Sequence, residues 1–358
     1  MKKAVITSGG TGGHIYPAVA VAKLLSAEGW ETVFVGTADG PEKGIAEGAG
    51  LRFLAVESGK FYRRLTFKNI VSVYRVLKGL FGSLKLLRAE KPDLVIGFGG
   101  YVCAPAVLAA KMAGIKTALH EQNAYPGLAN RLLSRIVDVT FMAFEGAKEK
   151  LHGRKVLTGL PVRGAIGSVE KDEALLSLGL KAGIRTVAVI GGSQGGRGLN
   201  KAVAEALPFI KEGIQLVWMT GRNEYKQYSL LPGVNGNPAV LSPFFENIEN
   251  VYAAADLAVI RAGASTVFEV LKCGLPSVLV PFPYSAADHQ RVNARFVSEG
   301  GAGLYLDEQG MTGKSLAEAI NGIICDGRKI GEMSAAAKKL FGKDAGLEIL
   351  KELKGLIC

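Results

Sequence analysis

Ala4-Val5-Ile6-Thr7-Ser8-Gly9-Gly10-Thr11-Gly12-Gly13 opens the chain, and Val187-Ala188-Val189-Ile190-Gly191-Gly192-Ser193-Gln194-Gly195-Gly196 repeats its pattern near the middle. Each stretch is a short β-forming run, a glycine turn with a hydroxyl side chain, and then a helix-forming segment. Strands this apolar must be covered on both faces, the mark of a parallel sheet. Further strands are expected at 32–36, 94–98, 215–220, 257–261 and 277–280. Helices are expected at 15–27, 106–113, 203–210, 266–273 and 290–299. The restart, in a chain of 358 residues, implies an α/β protein of two doubly wound parallel-sheet domains. They are expected over 1–160 and 161–340, joined near Gly159-Leu160-Pro161, with a C-terminal helix over 341–358 packing back on the first. Ligands of such sheets bind beyond the C-terminal strand ends, so the two domains are expected to face a cleft.

Glycine loops that open helices point backbone N–H groups at the positive end of the helix dipole, where phosphate binds. Three are present, at 9–13, 97–100 and 191–196. None fits G-x-G-x-x-G: counted from Gly10 the third glycine falls on Ile15, and from Gly97 on Val102. No G-x-x-x-x-G-K-[ST] occurs either, which disfavours dinucleotide-dependent dehydrogenases and P-loop NTPases. A nucleotide held by less stereotyped loops remains.

The net charge of +11 is uneven. Residues 1–160 hold 22 Lys and Arg against 12 Asp and Glu, whereas 161–358 hold 21 against 20. The first half is therefore expected to seek an anionic surface. Cys103, Cys273, Cys325 and Cys358 are scattered and read as free thiols of a reducing compartment. Met1-Lys2-Lys3 runs directly into a strand rather than a secretory signal, and no apolar run reaches the ~18 residues of a spanning helix. A cytosolic location follows as the expectation.

Gly9-Gly10-Thr11-Gly12-Gly13-His14-Ile15-Tyr16-Pro17 closely resembles the N-terminal motif of the bacterial peptidoglycan N-acetylglucosaminyltransferases, the MurG-type enzymes that convert lipid I to lipid II. Gly99-Gly100-Tyr101-Val102, His120-Glu121-Gln122-Asn123 and Gly159-Leu160-Pro161-Val162-Arg163 look like that family's next signatures. Gly191-Gly192-Ser193-Gln194-Gly195 with Asn200, Arg261-Ala262-Gly263-Ala264-Ser265-Thr266 through Glu269, and Asp288-His289-Gln290 continue them in order. The resemblance implies the two-domain GT-B fold and an inverting transfer from UDP-N-acetylglucosamine to lipid I, without metal or cofactor. It places Thr11, Gly12, Gly13, Asn123, Arg163, Ser193, Gln194 and Gly195 at the donor, with Phe245, Ala264, Ser265, Thr266, Glu269 and Gln290. It places Gly10, Tyr101, His120 and Asn200 at the acceptor. Two departures are mild: Gly196 stands where the family often has alanine, and Phe245 where an aliphatic residue can present its backbone to the uracil, a recognition that the change would leave intact.

Inverting transfer needs a base for the attacking hydroxyl. His14 lies at a helix start, where the dipole disfavours imidazolium, so it is expected to be neutral and able to accept a proton. Its alternative role is a hydrogen bond to the acceptor diphosphate. Glu121 is the rival base, and its alternative role is a structural carboxylate that binds backbone amides. Arg163 suits the leaving phosphates, and the Glu269 carboxylate suits a ribose diol. No D-x-D occurs to hold a metal-bound diphosphate, so no metal is expected.

Residues 60–88 carry Lys60, Arg63, Arg64, Lys68, Arg75, Lys78, Lys85 and Arg88 and no acid. Between them Phe67, Ile70, Tyr74, Leu77, Phe81 and Leu84 recur at 3,4 spacing beside Val73, Val76 and Leu80. The apolar arc of roughly 160° exceeds the ~100° stripe of a surface helix. Such a helix suits the interface of an anionic membrane, and its alternative is half burial with Gly79 and Gly82 loosening it. The location implied is peripheral, on the cytoplasmic face of the cell membrane. Nucleic acid is not an expected partner, since neither zinc spacing nor an RNP-like aromatic motif occurs. Other readings are a GT-B diacylglycerol glycosyltransferase, a UDP-sugar 2-epimerase of the same fold, and a non-catalytic nucleotide-sugar sensor.

Overall fold

Strand β1 (Lys3–Thr7) forms from a β-prone run that a glycine turn cuts short. It joins β2 (Glu31–Gly36), β3 (Arg52–Ala55), β4 (Leu94–Gly97), β5 (Lys116–Glu121), β6 (Val139–Met142) and β7 (Lys155–Leu157) in one sheet of order β3-β2-β1-β4-β5-β6-β7. A second sheet holds β8 (Arg185–Ile190), β9 (Ile214–Met219), β10 (Ala239–Ser242), β11 (Leu257–Ile260), β12 (Ser277–Leu279) and β13 (Gly303–Tyr305), in order β10-β9-β8-β11-β12-β13. Every pairing in both sheets is parallel. This computed structural model describes residues 1–59, 67–192, 195–231, 239–285 and 288–357.

Helices α1 (Gly12–Ala27), α2 (Pro41–Gly48), α3 (Phe67–Glu90), α4 (Cys103–Met112) and α5 (Leu128–Leu133) accompany the first sheet. With the second run α6 (Lys171–Ser177), α7 (Arg197–Ala206), α8 (Tyr225–Tyr228), α9 (Ile248–Ala254), α10 (Ala264–Lys272), α11 (His289–Glu299), α12 (Gly313–Ile324) and α13 (Gly327–Phe341). Helix α14 (Ala345–Ile357) ends the described chain. One compact unit is Met1–Arg163 with Lys343–Cys358, and the other is Gly164–Gly342. Helix α14 belongs to the first because its apolar face, Ile349, Leu350 and Leu353, shares the core beneath α1. Glu28, just after α1, pairs with Lys354, and Gly346 lies so close to Leu24 that a Cβ there would collide with it.

Alternation along the strands sends residues to opposite faces. Ala4, Ile6, Phe34, Leu94, Ile96 and Ala118 build the core beneath α1 and α14. Val5, Val33, Val35, Val95 and Leu119 build the other, against Leu87 of α3 and Cys103 and Val107 of α4. In each sheet the strand order reverses once, between β1 and β4 and between β8 and β11. At such a switch point neighbouring loops leave in opposite directions and open a crevice. The loops leaving these four strands are 8–11, 98–102, 191–196 and 261–263. The glycine motifs thus stand where the topology places a ligand.

Each of the five helices expected from the apolar pattern starts earlier than predicted. Helix α4 begins at Cys103 rather than Ala106, α10 at Ala264 rather than Thr266, and α11 at His289 rather than Gln290. Helix α1 begins at Gly12 rather than Ile15, and α7 at Arg197 rather than Val203. At α1 and α7 glycines obscure the periodicity, yet the loops feed straight into the first turns. Pro17 consequently lies inside α1 rather than in its first turn.

Candidate active site

His14 sits in the first turn of α1, whose N-cap Thr11 makes no side-chain cap bond. Its Nδ1 lies 2.8 Å from Oε1 of Gln122, just beyond β5. The ring keeps some solvent exposure but is densely surrounded, and burial holds its pKa below the usual histidine range. The two glycine loops of this unit touch. Gly100 has φ of 81°, and a Cβ there would collide with the Gly9 carbonyl oxygen, so only glycine allows the approach. Beneath the first loop lies Glu42, fully buried on α2, which accepts from Thr37 N–H (2.9 Å), Thr37 Oγ1–H (2.6 Å) and Gly10 N–H (3.4 Å). The Gly10 amide is therefore tied to a carboxylate, while Tyr101 lies against Gly10.

Glu121 is buried at the end of β5. Its Oε1 accepts from Asn123 N–H at 2.9 Å, and its Oε2 from Asn130 Nδ2–H at 2.8 Å and Gly127 N–H at 3.2 Å. Burial outweighs these donors and raises its pKa. The carboxylate ties 123–127 to α5, and Asn123 is held at its turn. His120 is fully buried, stacks on Phe98 at 5.4 Å, and bonds through Nε2 to the Gly159 carbonyl at 3.0 Å. Burial pulls its pKa down to about 4. Arg163 lies over the Tyr16 ring at 4.6 Å, which brings a guanidinium beside the first turns of α1.

In the second unit, Ser193 and Gln194 lie outside the described residues. Gly195 has φ of 78° and packs on the Thr220 carbonyl, and Gly196 caps α7. A Cβ at Gly196 would stand 2.9 Å from Arg261 Nε, so an alanine there would require Arg261 to shift. Arg261 is buried and donates to the carbonyls of Val280 (3.1 Å) and Pro281 (3.2 Å) and to Glu308. Asn200 is fully buried, with Nδ2 donating to Thr220 O (2.7 Å) and Glu224 Oε2 (2.6 Å) and Oδ1 accepting from Trp218 (3.0 Å). Its amide is thus spent inside the unit. Ala264, Ser265 and Thr266 form the first turn of α10, and Glu269 one turn on accepts from Tyr252 Oη–H at 2.7 Å. Gln290 of α11 accepts the Phe282 N–H at 2.9 Å, and Phe245 is half-buried after β10.

The broad apolar arc of α3 serves two surfaces. Leu87 is buried in the core and Leu80 and Leu84 pack against it, while Tyr74 (65% exposed), Leu77 and Phe81 (69%) face outward. Arg75, Lys78, Lys85 and Arg88 are exposed beside them, with Lys78 paired to Glu57. Gly79 lets α3 approach the chain at Glu57, because a Cβ there would strike the Glu57 carbonyl. Met112 of α4 and Leu128 and Leu132 of α5 are exposed as well. Lys60, Arg63 and Arg64, and the side chains of Phe67, Lys68, Ile70 and Val73, lie outside the described residues. No helix of the described residues is long and apolar enough to cross a membrane, and none of their His, Cys, Asp and Glu form a group of three fit for a metal.

Sequence reasoning missed the parts played by Gln122 and Glu42. Both act on residues far along the chain, 108 and 32 positions away, and nothing local announces that pairing. The one available signal is strand alternation, which puts Gln122 on the side of His120.

Two parallel-sheet units with glycine loops at their switch points make up the GT-B architecture of nucleotide-sugar-dependent glycosyltransferases. The chain belongs to glycosyltransferase family 28: its N-terminal domain model matches residues 4–142 and its C-terminal domain model residues 186–348. It is 41% identical, over 98% of both chains, to the UDP-N-acetylglucosamine–N-acetylmuramyl-(pentapeptide) pyrophosphoryl-undecaprenol N-acetylglucosamine transferase of Bacillus licheniformis. It is 38% identical to the enzyme of that name from Halothermothrix orenii, over 94% of each. The crystal structure of Acinetobacter baumannii MurG superposes with a TM-score of 0.80 at 27% identity, covering 99% of this chain and 100% of that one. A putative UDP-N-acetylglucosamine 2-epimerase from Listeria monocytogenes, 16% identical with a TM-score of 0.74, shares the fold alone.

Proposed function

We propose that this chain is an inverting N-acetylglucosaminyltransferase that moves the sugar from UDP-N-acetylglucosamine to the C4 hydroxyl of the muramyl sugar of lipid I. The observation that carries the reading is the 41% identity to such a transferase along 98% of both chains. His14 is the base. It takes the hydroxyl proton as the acceptor oxygen bonds to the anomeric carbon and the bond from that carbon to the UDP diphosphate breaks. Its neutral imidazole at a helix start fits that task. Glu121, already filled by three close N–H donors, shapes the turn that carries Asn123. Arg163 and amides of the glycine loops Thr11–Gly13 and Ser193–Gly195 neutralise the leaving diphosphate, with no metal. Glu269 takes the ribose diol, Gln290 the donor sugar, and the turn at Ala264–Thr266 and the backbone at Phe245 complete the nucleotide site. Gly10, Tyr101 and His120 lie on the acceptor side.

The first unit, on this reading, takes the acceptor and the second the donor. Exposed Tyr74, Leu77 and Phe81, ringed by Arg75, Lys85 and Arg88, hold the protein peripherally on the anionic cytoplasmic face of the membrane. Labelled UDP-N-acetylglucosamine is incubated with lipid I and, separately, with diacylglycerol. A β-linked product on lipid I is expected. Transfer to diacylglycerol alone, or retention of the donor's configuration, would overturn the reading.

A further inference from the structure

Gln122 is buried to 1% exposure, and its orientation is settled by its neighbours. Its Nε2 donates to the Phe98 carbonyl at 2.7 Å and to the His120 carbonyl at 3.1 Å. Turning the amide over would set Oε1 against two carbonyl oxygens, which is repulsive, so Oε1 must be the atom facing His14. That oxygen has no hydrogen to give. The contact of 2.8 Å is a hydrogen bond only if His14 Nδ1 carries the proton. Gly99, with φ of 84°, keeps the place open, since a Cβ there would crowd His14 Nδ1 at 3.2 Å and Gln122 Oε1 at 3.4 Å.

We propose that Gln122 is a positioning residue that fixes His14 as the Nδ1–H tautomer and so leaves Nε2 bare to receive the proton of the acceptor hydroxyl. The proposal deepens the reading of His14 as the base and rests on it. Free histidine favours the opposite tautomer, with the hydrogen on Nε2, which cannot accept a proton there. The buried amide therefore imposes a state that the ring alone would adopt only in part. Burial of Gln122 between the ends of β4 and β5 makes the imposition rigid. His120 on β5 faces the ring, and its charge would repel that of His14; Glu42 reaches Gly10 from α2, and Arg163 lies over Tyr16, a residue two positions after His14 on α1.

The test is nitrogen NMR of histidine-labelled full-length protein, combined with kinetics of Gln122→Ala, Gln122→Glu and His14→Ala. Wild type should show a protonated Nδ1 and a bare Nε2 on His14 above its pKa. In Gln122→Ala the Nε2–H form should gain, and kcat should fall by roughly 10–100-fold with KM for the donor little changed, part of what a positioned base supplies. In Gln122→Glu the new carboxylate stabilises imidazolium, so the acid limb of the rate profile should move to higher pH, a displacement that a merely structural residue would not cause. Wild-type His14 protonated on Nε2 overturns the proposal without recourse to any variant, and so does an unchanged tautomer in Gln122→Ala. Near-native turnover in His14→Ala overturns the base assignment instead, whatever the tautomer proves to be.

Discussion

Replacing Glu121 by alanine strips three close acceptor contacts from a buried turn: Asn123 N–H at 2.9 Å, Asn130 Nδ2–H at 2.8 Å and Gly127 N–H at 3.2 Å. Each buried donor left unpaired costs about 1–3 kcal/mol, and water entering the vacated space offsets part of that. A net loss of roughly 3–5 kcal/mol follows, or about 6–20 °C in Tm at ~2–4 °C per kcal/mol for a domain of this size. Glu121→Gln keeps one oxygen but turns an NH2 group toward amide donors, so its loss should be smaller yet clear. The assay is thermal and denaturant unfolding of wild type and both variants, alongside turnover at saturating lipid I and UDP-N-acetylglucosamine. The expected outcome is destabilisation, with activity falling as the Asn123 turn loosens and the pH profile of the remaining rate unchanged. If Glu121→Ala unfolds at the wild-type temperature while kcat drops by the ~10²–10⁴ of a missing base, the structural argument fails and Glu121 replaces His14 as the base.

Acid should destabilise the first unit through His120. Its folded pKa of about 4 lies below the ordinary 6.5, so between these values the unfolded chain binds a proton that the folded one refuses. Stability is then lost as pH falls from ~6.5 toward ~4, by up to about 3 kcal/mol, and unfolding curves of wild type and His120→Gln should converge toward the acid end. Vesicle pelleting should show binding to anionic liposomes that weakens with salt and with Arg75→Glu/Lys85→Glu/Arg88→Glu, while Phe81→Ser lowers it at every salt concentration. Equal binding to neutral vesicles would refute the charged component. Activity should persist in excess EDTA, and complete loss on chelation would contradict a diphosphate neutralised by Arg163 and loop amides alone.

The sequence by itself determined the class of fold and the neighbourhood of the site. Apolar runs such as Val187–Ile190 and Leu94–Gly97 can be buried only on both faces, and glycine turns that feed helices mark the strand ends where ligands bind. The order and spacing of the motifs pointed to the family because each is written in consecutive residues and can be read without the fold. Helix boundaries at α1 and α7 were less legible, because glycines in a first turn carry no apolar period to read. Only the tertiary structure decided which partners each site residue has. The meeting of His14 with Gln122, of Gly10 with Glu42, and of Arg163 with Tyr16 depends on strand order and on loops brought together at a switch point. It also divided one apolar arc of α3 between core and surface. Such pairings join residues tens to more than a hundred positions apart, and local pattern carries no information on that scale.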